Sequence, residues 1–348
     1  MSEFPPVRYG VLGAANIARS FTKGLRGSTI ATVDAVASRR ADKSAAFAAE
    51  CGIPRHHASY EALLADPAID AIYIPLPNTM HAEWAIRAAE AGKHILCEKP
   101  LAMNGSETRA MFAAAHKHRV LLAEAYPYMS QRQTLQVREW IAGGDIGRVQ
   151  LINATFSFAL VTPEGVPLRD PGNIRLDPAM GGGGLLDAGT YAMSMVRIAA
   201  GQRPTRAIAA ARFTQSGVDQ SIMATLEFPS GIIAQITSSL GVAGYRNATI
   251  LGDAGVIETG YRNHGPEDGG TLPLSIRRST AGNLPLETVA LPAEDGFRAE
   301  AESFARAIRL GAAHWNGASE AESLDITLSL VAIAESARTG KWVDIAQG

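Results

Sequence analysis

The stretch Gly10-Val11-Leu12-Gly13-Ala14-Ala15-Asn16-Ile17-Ala18 decides the fold. It continues an apolar run that begins at Val7, and beyond it Ile17, Phe21 and Leu25 recur at helical spacing. An apolar run, a glycine turn and an amphipathic stretch read as strand, tight turn and helix. Gly13, Ala15 and Ala18 fall on the three small-residue positions of the dinucleotide-binding fingerprint. Small residues there let the turn form and let the backbone approach a pyrophosphate at the helix N-terminus. Ala15 stands where a second glycine is usual, and its methyl is tolerable only if the backbone avoids positive φ.

Outward from this turn the same alternation repeats. Strands are expected at Ile30–Ala37, Ile69–Ile74, Ile95–Cys97 and Val120–Ala123. Helices are expected at Ala41–Cys51, Tyr60–Ala65, Thr79–Ala91 and Ser106–His118, with Gly52 and Gly92 as stops. Strands alternating with helices predict a parallel doubly wound sheet over residues 1–125. The pattern then changes. A helix at Gln131–Ile141 leads to a long strand, Val149–Phe158, which carries Ile152, Ala154, Phe156 and Phe158 on one face. Further strands are expected at Thr205–Phe213, Ser221–Phe228, Ile232–Ser238, Ala248–Leu251, Val256–Thr259 and Leu272–Ile276, with turns at Pro229-Ser230-Gly231 and Asp253-Ala254-Gly255. Residues 126–348 therefore read as a second α+β domain with a mainly antiparallel sheet. Its closing helices, Phe297–Leu310 and Ser319–Thr339, are expected to pack back on the first domain.

Bulk properties exclude several classes. A net charge of −2 gives no electrostatic case for nucleic acid or an anionic membrane. Cys51 and Cys97 have no Cys-x-x-Cys partner, so neither a disulfide framework nor a zinc site is expected. His56-His57 and His116-x-His118 lack companion carboxylates, and no metal is expected. No apolar run approaches a membrane span, and the start lacks the pattern of a secretory signal. The chain reads as cytoplasmic.

Three further features carry chemistry. Glu98-Lys99-Pro100 ends a buried strand at its carboxyl end, where open α/β sheets bind ligands. The second strand ends in Ser38-Arg39-Arg40, with no acid for the ribose hydroxyls. Ser38 and Arg39 suit a 2′-phosphate instead, which favours NADP over NAD. Gly181–Gly184 leads through Leu185-Leu186 to Asp187 and Tyr191, which lie four apart on an expected helix. The glycines read as a flexible approach to that helix. A carboxylate, a phenol and an ammonium together can run proton transfer at a sugar hydroxyl.

These motifs, in this order, resemble the glucose–fructose oxidoreductase/inositol dehydrogenase (Gfo/Idh/MocA) family, over essentially the whole chain. The resemblance implies a nicotinamide-binding first domain, with Gly13, Ala15, Asn16, Ile17, Ser38, Arg39, Leu76, Asn78, His81, Glu98 and Lys99 at the cofactor. It makes Glu98-Lys99-Pro100 the catalytic lysine motif. Many members have histidine where Tyr191 stands. Tyrosine resembles the branch with glucose–fructose oxidoreductase, dimeric dihydrodiol dehydrogenase and some aldose dehydrogenases, as does Asn173-Ile174-Arg175. Met129 replaces an arginine that many members stack on the nicotinamide.

The resulting expectation is an NADP-dependent oxidoreductase acting on a sugar or polyol, with hydride transfer at an aldose C1. Tyr191 moves the proton, Lys99 favours its phenolate, and Asp187 orients one of them. Asn173 and Arg175 are expected substrate contacts. The alternatives are a trans-dihydrodiol or other polyol or keto-sugar dehydrogenase, an elimination catalyst, and a non-catalytic NAD(P)-sensing regulator. An open sheet face in the second domain predicts a homodimer or homotetramer.

Overall fold

Six parallel strands in the order β3-β2-β1-β4-β5-β6 form the first sheet. The structure is a computed structural model and describes residues 4–170, 172–263 and 274–346. It divides into two compact units. Unit 1 holds residues 1–102, 106–131 and 294–320; unit 2 holds 103–105, 132–293 and 321–348.

Unit 1 runs β1 (Val7–Leu12), α1 (Asn16–Gly24), β2 (Ala31–Ala37), α2 (Ala41–Cys51), β3 (Arg55–His57), α3 (Tyr60–Leu64), β4 (Ala71–Ile74), α4 (His81–Glu90), β5 (His94–Glu98), α5 (Gly105–His118) and β6 (Leu122–Ala125). The strands are apolar throughout because helices cover both faces of the sheet. On one face Val7, Tyr9 and Val11 pack with Phe21 of α1, Phe47 of α2 and Phe297, Ala301 and Phe304 of the helix Gly296–Leu310. On the other, Leu12, Ile72, Ile74, Ile95 and Cys97 pack with Leu63, Trp84, Ala88, Met111 and Phe112. The helix Gly296–Leu310 belongs to this unit: Tyr9 donates its hydroxyl to the Ala301 carbonyl at 2.9 Å. The strand order reverses between β1 and β4, so the Gly13 turn and the loop after β4 open at the same crevice.

The helix expected at 79–91 begins instead as a 3₁₀ turn, Asn78–Met80, before α4. The strand β3 had no expectation: three residues carry no period, and it exists through its pairing with β2.

Unit 2 holds α6 (Arg132–Gly143), β7 (Val149–Ala159), α7 (Thr190–Ala200), β8 (Arg206–Phe213), β9 (Asp219–Glu227), β10 (Ile233–Ser239), β11 (Gly241–Gly252), β12 (Val256–Thr259), β13 (Leu274–Arg277) and β14 (Glu287–Thr288). After α8 (Gly296–Leu310) of unit 1, α9 (Glu320–Thr339) and β15 (Val343–Asp344) close the chain. The nine-stranded sheet has the order β14-β13-β12-β11-β7-β10-β9-β8-β15. Every pairing is antiparallel except β7 with β10. The expected turns join β9 to β10 and β11 to β12. Of the strand expected at 272–276, residues 272 and 273 lie outside the described residues.

One face of this sheet, with Ile152, Ala154, Phe156, Ala224, Leu226 and Ile236, is buried, and α7 packs on β7 and β10. On the strand positions between them Leu151, Met223 and Ile233 are exposed. Among the described residues no helix is long and apolar enough to cross a membrane.

Candidate active site

In unit 1 the fingerprint turn has the geometry its residues require. Gly13 has φ +127°, a conformation side chains avoid, and a Cβ there would lie 3.0 Å from Leu76 Cδ2. Ala15 has φ −88° and ψ 158°, so its methyl costs nothing and the departure from glycine is resolved. α1 starts at Asn16 with no side-chain cap on its first turn. Asn16 is exposed and accepts from Arg19 Nη1 at 2.9 Å, and Ile17 packs against the core beneath. Uncapped backbone N–H groups behind a cradle that a Cβ would fill suit a pyrophosphate.

The end of β2 lies one strand away. Ser38 is buried, and its Oγ accepts from the Arg40 backbone at 3.3 Å. Arg40 turns to Asp42 at the start of α2, with Nε 3.1 Å from Oδ1. Arg39 is exposed, and its charge reaches the Tyr60 phenol. Burial raises the Tyr60 phenol, and the guanidinium opposes that rise. Tyr60 was not anticipated. Its hydroxyl lies 3.9 Å from the place of a Cβ on Gly13, a non-local contact with no sequence period.

After β4 and β5 the two loops are joined by a histidine. His81 is fully buried. Its Nδ1 lies 2.9 Å from the Pro100 carbonyl and its Nε2 2.9 Å from the Leu76 carbonyl. Burial, the larger effect, holds the imidazole below its ordinary value, and the carbonyls pull it up. A neutral ring can donate to only one of them. The ring braces the Leu76 and Lys99-Pro100 loops, and the Lys99-Pro100 peptide is cis. Asn78 follows in the 3₁₀ turn. Glu98 is buried, accepts from Tyr73 Oη at 2.5 Å, and its Oε2 lies 3.3 Å from the Lys99 amide. Lys99 therefore follows a carboxylate anchored in the core. Met129 is fully buried in the turn Pro127–Ser130, which packs against α8.

In unit 2 the glycine run is not a flexible approach. Gly182 lies where a Cβ would meet the Arg175 carbonyl oxygen at 2.6 Å, and Gly183, with φ +122°, where one would meet Asp219 Oδ1 at 2.3 Å. The glycines permit close packing of chain on chain. Leu185–Gly189 forms a π-helical turn that continues into α7. Asp187 on that turn pairs with Arg175 Nε at 2.7 Å, and Asn173 accepts from the Arg175 amide at 3.1 Å. Asn173 and Arg175 thus position Asp187.

Tyr191 is buried in the first turn of α7. Its ring stacks on Phe156 of β7, with centroids 4.5 Å apart and planes at 13°. Its oxygen accepts from Asn263 Nδ2 at 2.6 Å. The Arg246 guanidinium lies 4.4 Å from the Phe156 ring centre. Burial lowers it from its ordinary value, while the fields of Tyr191 and Asp187 oppose that shift. Asn263 and Arg246 lie far from Tyr191 in sequence and gave no signal there. Among the described residues no group of His, Cys, Asp or Glu is placed to hold a metal ion.

A family model described as "Oxidoreductase family, NAD-binding Rossmann fold" matches residues 7–126, and the GFO/IDH/MocA C-terminal domain matches residues 134–258. The chain belongs to the Gfo/Idh/MocA oxidoreductase family. Within it, the chain is 36% identical to D-xylose 1-dehydrogenase (NADP(+)) 2 of Haloferax volcanii over 340 residues, 97% of this chain and 99% of that one. The aldose–aldose oxidoreductase of Caulobacter crescentus, solved with glycerol, superposes with a TM-score of 0.84 at 25% identity, covering 97% of this chain and 99% of that one. A 3-ketoreductase of Actinomadura kijaniata, solved with NADP and TDP-benzene, gives a TM-score of 0.81 at 30% identity, covering 95% and 98%. A Gfo/Idh/MocA chain with an NAD(P)-binding Rossmann domain and sugar oxidoreductases among its relatives is an oxidoreductase.

Proposed function

We propose that this chain is an NADP-dependent dehydrogenase that acts on an aldose at C1. The observation that supports this best is the Tyr191 oxygen, which is buried, stacked on Phe156 and accepts from Asn263 at 2.6 Å. A donor aimed at a phenol oxygen favours the anionic form, and so suits the group to exchange a proton with a substrate hydroxyl.

The nicotinamide, when bound, supplies the hydride chemistry. The turn Gly13, Ala15, Asn16 and Ile17 holds the pyrophosphate at the start of α1. Ser38 and Arg39 receive the 2′-phosphate. Leu76, Asn78 and Lys99 line the crevice where the strand order reverses, and His81 keeps their two loops in register. Tyr191 takes or gives the substrate's proton. Lys99 works with it as the charge that favours the phenolate. Asp187, held by Arg175, fixes the orientation of the substrate hydroxyl.

The test is reduction of NADP, followed by the absorbance of the reduced nicotinamide, on adding a panel of pentoses and hexoses. The expected result is turnover with at least one aldose and a preference for NADP over NAD that Arg39→Ala removes. No turnover with any aldose contradicts the proposal. An unchanged preference in Arg39→Ala removes that residue from the 2′-phosphate.

A further inference from the structure

The glycine run ends against a carboxylate with no assigned role. Asp219, the first residue of β9, accepts from the Leu185 amide at 2.6 Å through Oδ2. A Cβ on Gly183 would lie 2.3 Å from its Oδ1, and one on Gly184 3.2 Å from its Oδ2. The segment it meets carries the site. Gly183 accepts from the Asp187 amide at 3.1 Å and donates to the Arg175 carbonyl at 2.9 Å. Arg175 in turn pairs with Asp187. Asp219, the glycines, Arg175 and Asp187 thus close one circuit of hydrogen bonds, two residues before α7 brings Tyr191.

We propose that Asp219 is a positioning residue for the reaction: its ionised carboxylate clamps Gly183–Leu185 and through them sets Asp187 and Tyr191. This rests on the role given to Tyr191 above. The geometry asks for a carboxylate. The Leu185 amide donates to Oδ2, and an ionised carboxylate meets it with an acceptor whichever oxygen faces it, whereas a carboxylic acid or an amide can turn a donor toward it. The ionised form is held at a cost. Burial raises Asp219 to about 6, against the pull of the Leu185 and Gly184 amides and of Arg338 on α9, the charged side chain whose field reaches it. The folded value lies above the unfolded one, so this group's contribution to stability is present at low pH and is lost as pH rises through 6.

The experiment compares wild type and Asp219→Asn in kcat, cofactor KM, melting temperature and hydrogen exchange of the peptide covering residues 183–191, from about pH 5 to pH 8. In wild type, kcat is expected to fall and exchange of this peptide to rise as pH drops through 6. In Asp219→Asn at the alkaline end, exchange is raised, kcat is about tenfold lower, the acid limb of kcat is gone, and cofactor KM and melting temperature hold or the latter rises. Unchanged exchange overturns the proposal, as does raised exchange with wild-type kcat. A loss of kcat matched by a loss of melting temperature also overturns it, because that is a structural role. Full turnover by Tyr191→Phe rejects the reading of Tyr191 itself, and the exchange result still judges the clamp.

Discussion

The chain has two glycine turns that lead into helices, and they are built for opposite ends. The Gly13 turn is left open. Its glycine is needed for a positive φ, the wall beside it is the tip of Leu76, and the α1 N-terminus behind it has no side-chain cap. The Gly181–Gly184 turn is filled by the protein itself. Its glycines make room for the Arg175 backbone and the Asp219 carboxylate, and the N–H of Leu185 at its helix start is already bonded. A glycine-rich helix start therefore signals a close approach without saying what approaches. In unit 1 the approach fits a ligand, and in unit 2 it is the chain's own carboxylate.

This contrast can be broken by adding one methyl at each turn. Gly183→Ala should have the larger effect, since it forces both a strained φ and an overlap with Asp219 Oδ1. A loss of about 3 kcal/mol in denaturant unfolding is expected, along with most of the turnover. Wild-type stability in this variant would mean that the glycine run is loose after all. Gly13→Ala carries the same strain in φ but meets the flexible Leu76 tip rather than a fixed carboxylate, so its cost in unfolding should be smaller, about 1–2 kcal/mol. Its main effect should be on cofactor binding, about tenfold or more in Kd by fluorescence titration. An unchanged Kd there would separate this turn from the cofactor.

The same contrast shows what the sequence disclosed. Features made within one short stretch were legible: the helix Ala41–Cys51 and its left-handed Gly52, the strand–turn–helix at Gly13, and the hairpin turns of unit 2. The Glu98-Lys99-Pro100 and Gly181–Tyr191 motifs stood out because each is local. What escaped depends on residues far apart in the chain. Nothing near Asn263 announces that it donates to Tyr191, and nothing near Asp219 announces that it caps Leu185. His81 shows the converse. Its position in the motif was visible, but its burial between two carbonyls arises only when the ends of β4 and β5 lie side by side. The strand β11 is longer than its apolar core, Ala248–Leu251, because an irregular stretch after Gly241 extends its pairing with β7.

The central claim is that Lys99 and Tyr191 act together on one proton, and a double-mutant cycle in kcat tests it most directly. Lys99→Met and Tyr191→Phe should each lower kcat about a hundredfold or more with cofactor still bound, and the double variant should be little worse than the worse single. Near-normal turnover by Tyr191→Phe beside an inactive Lys99→Met would contradict the account and leave the proton to the lysine alone.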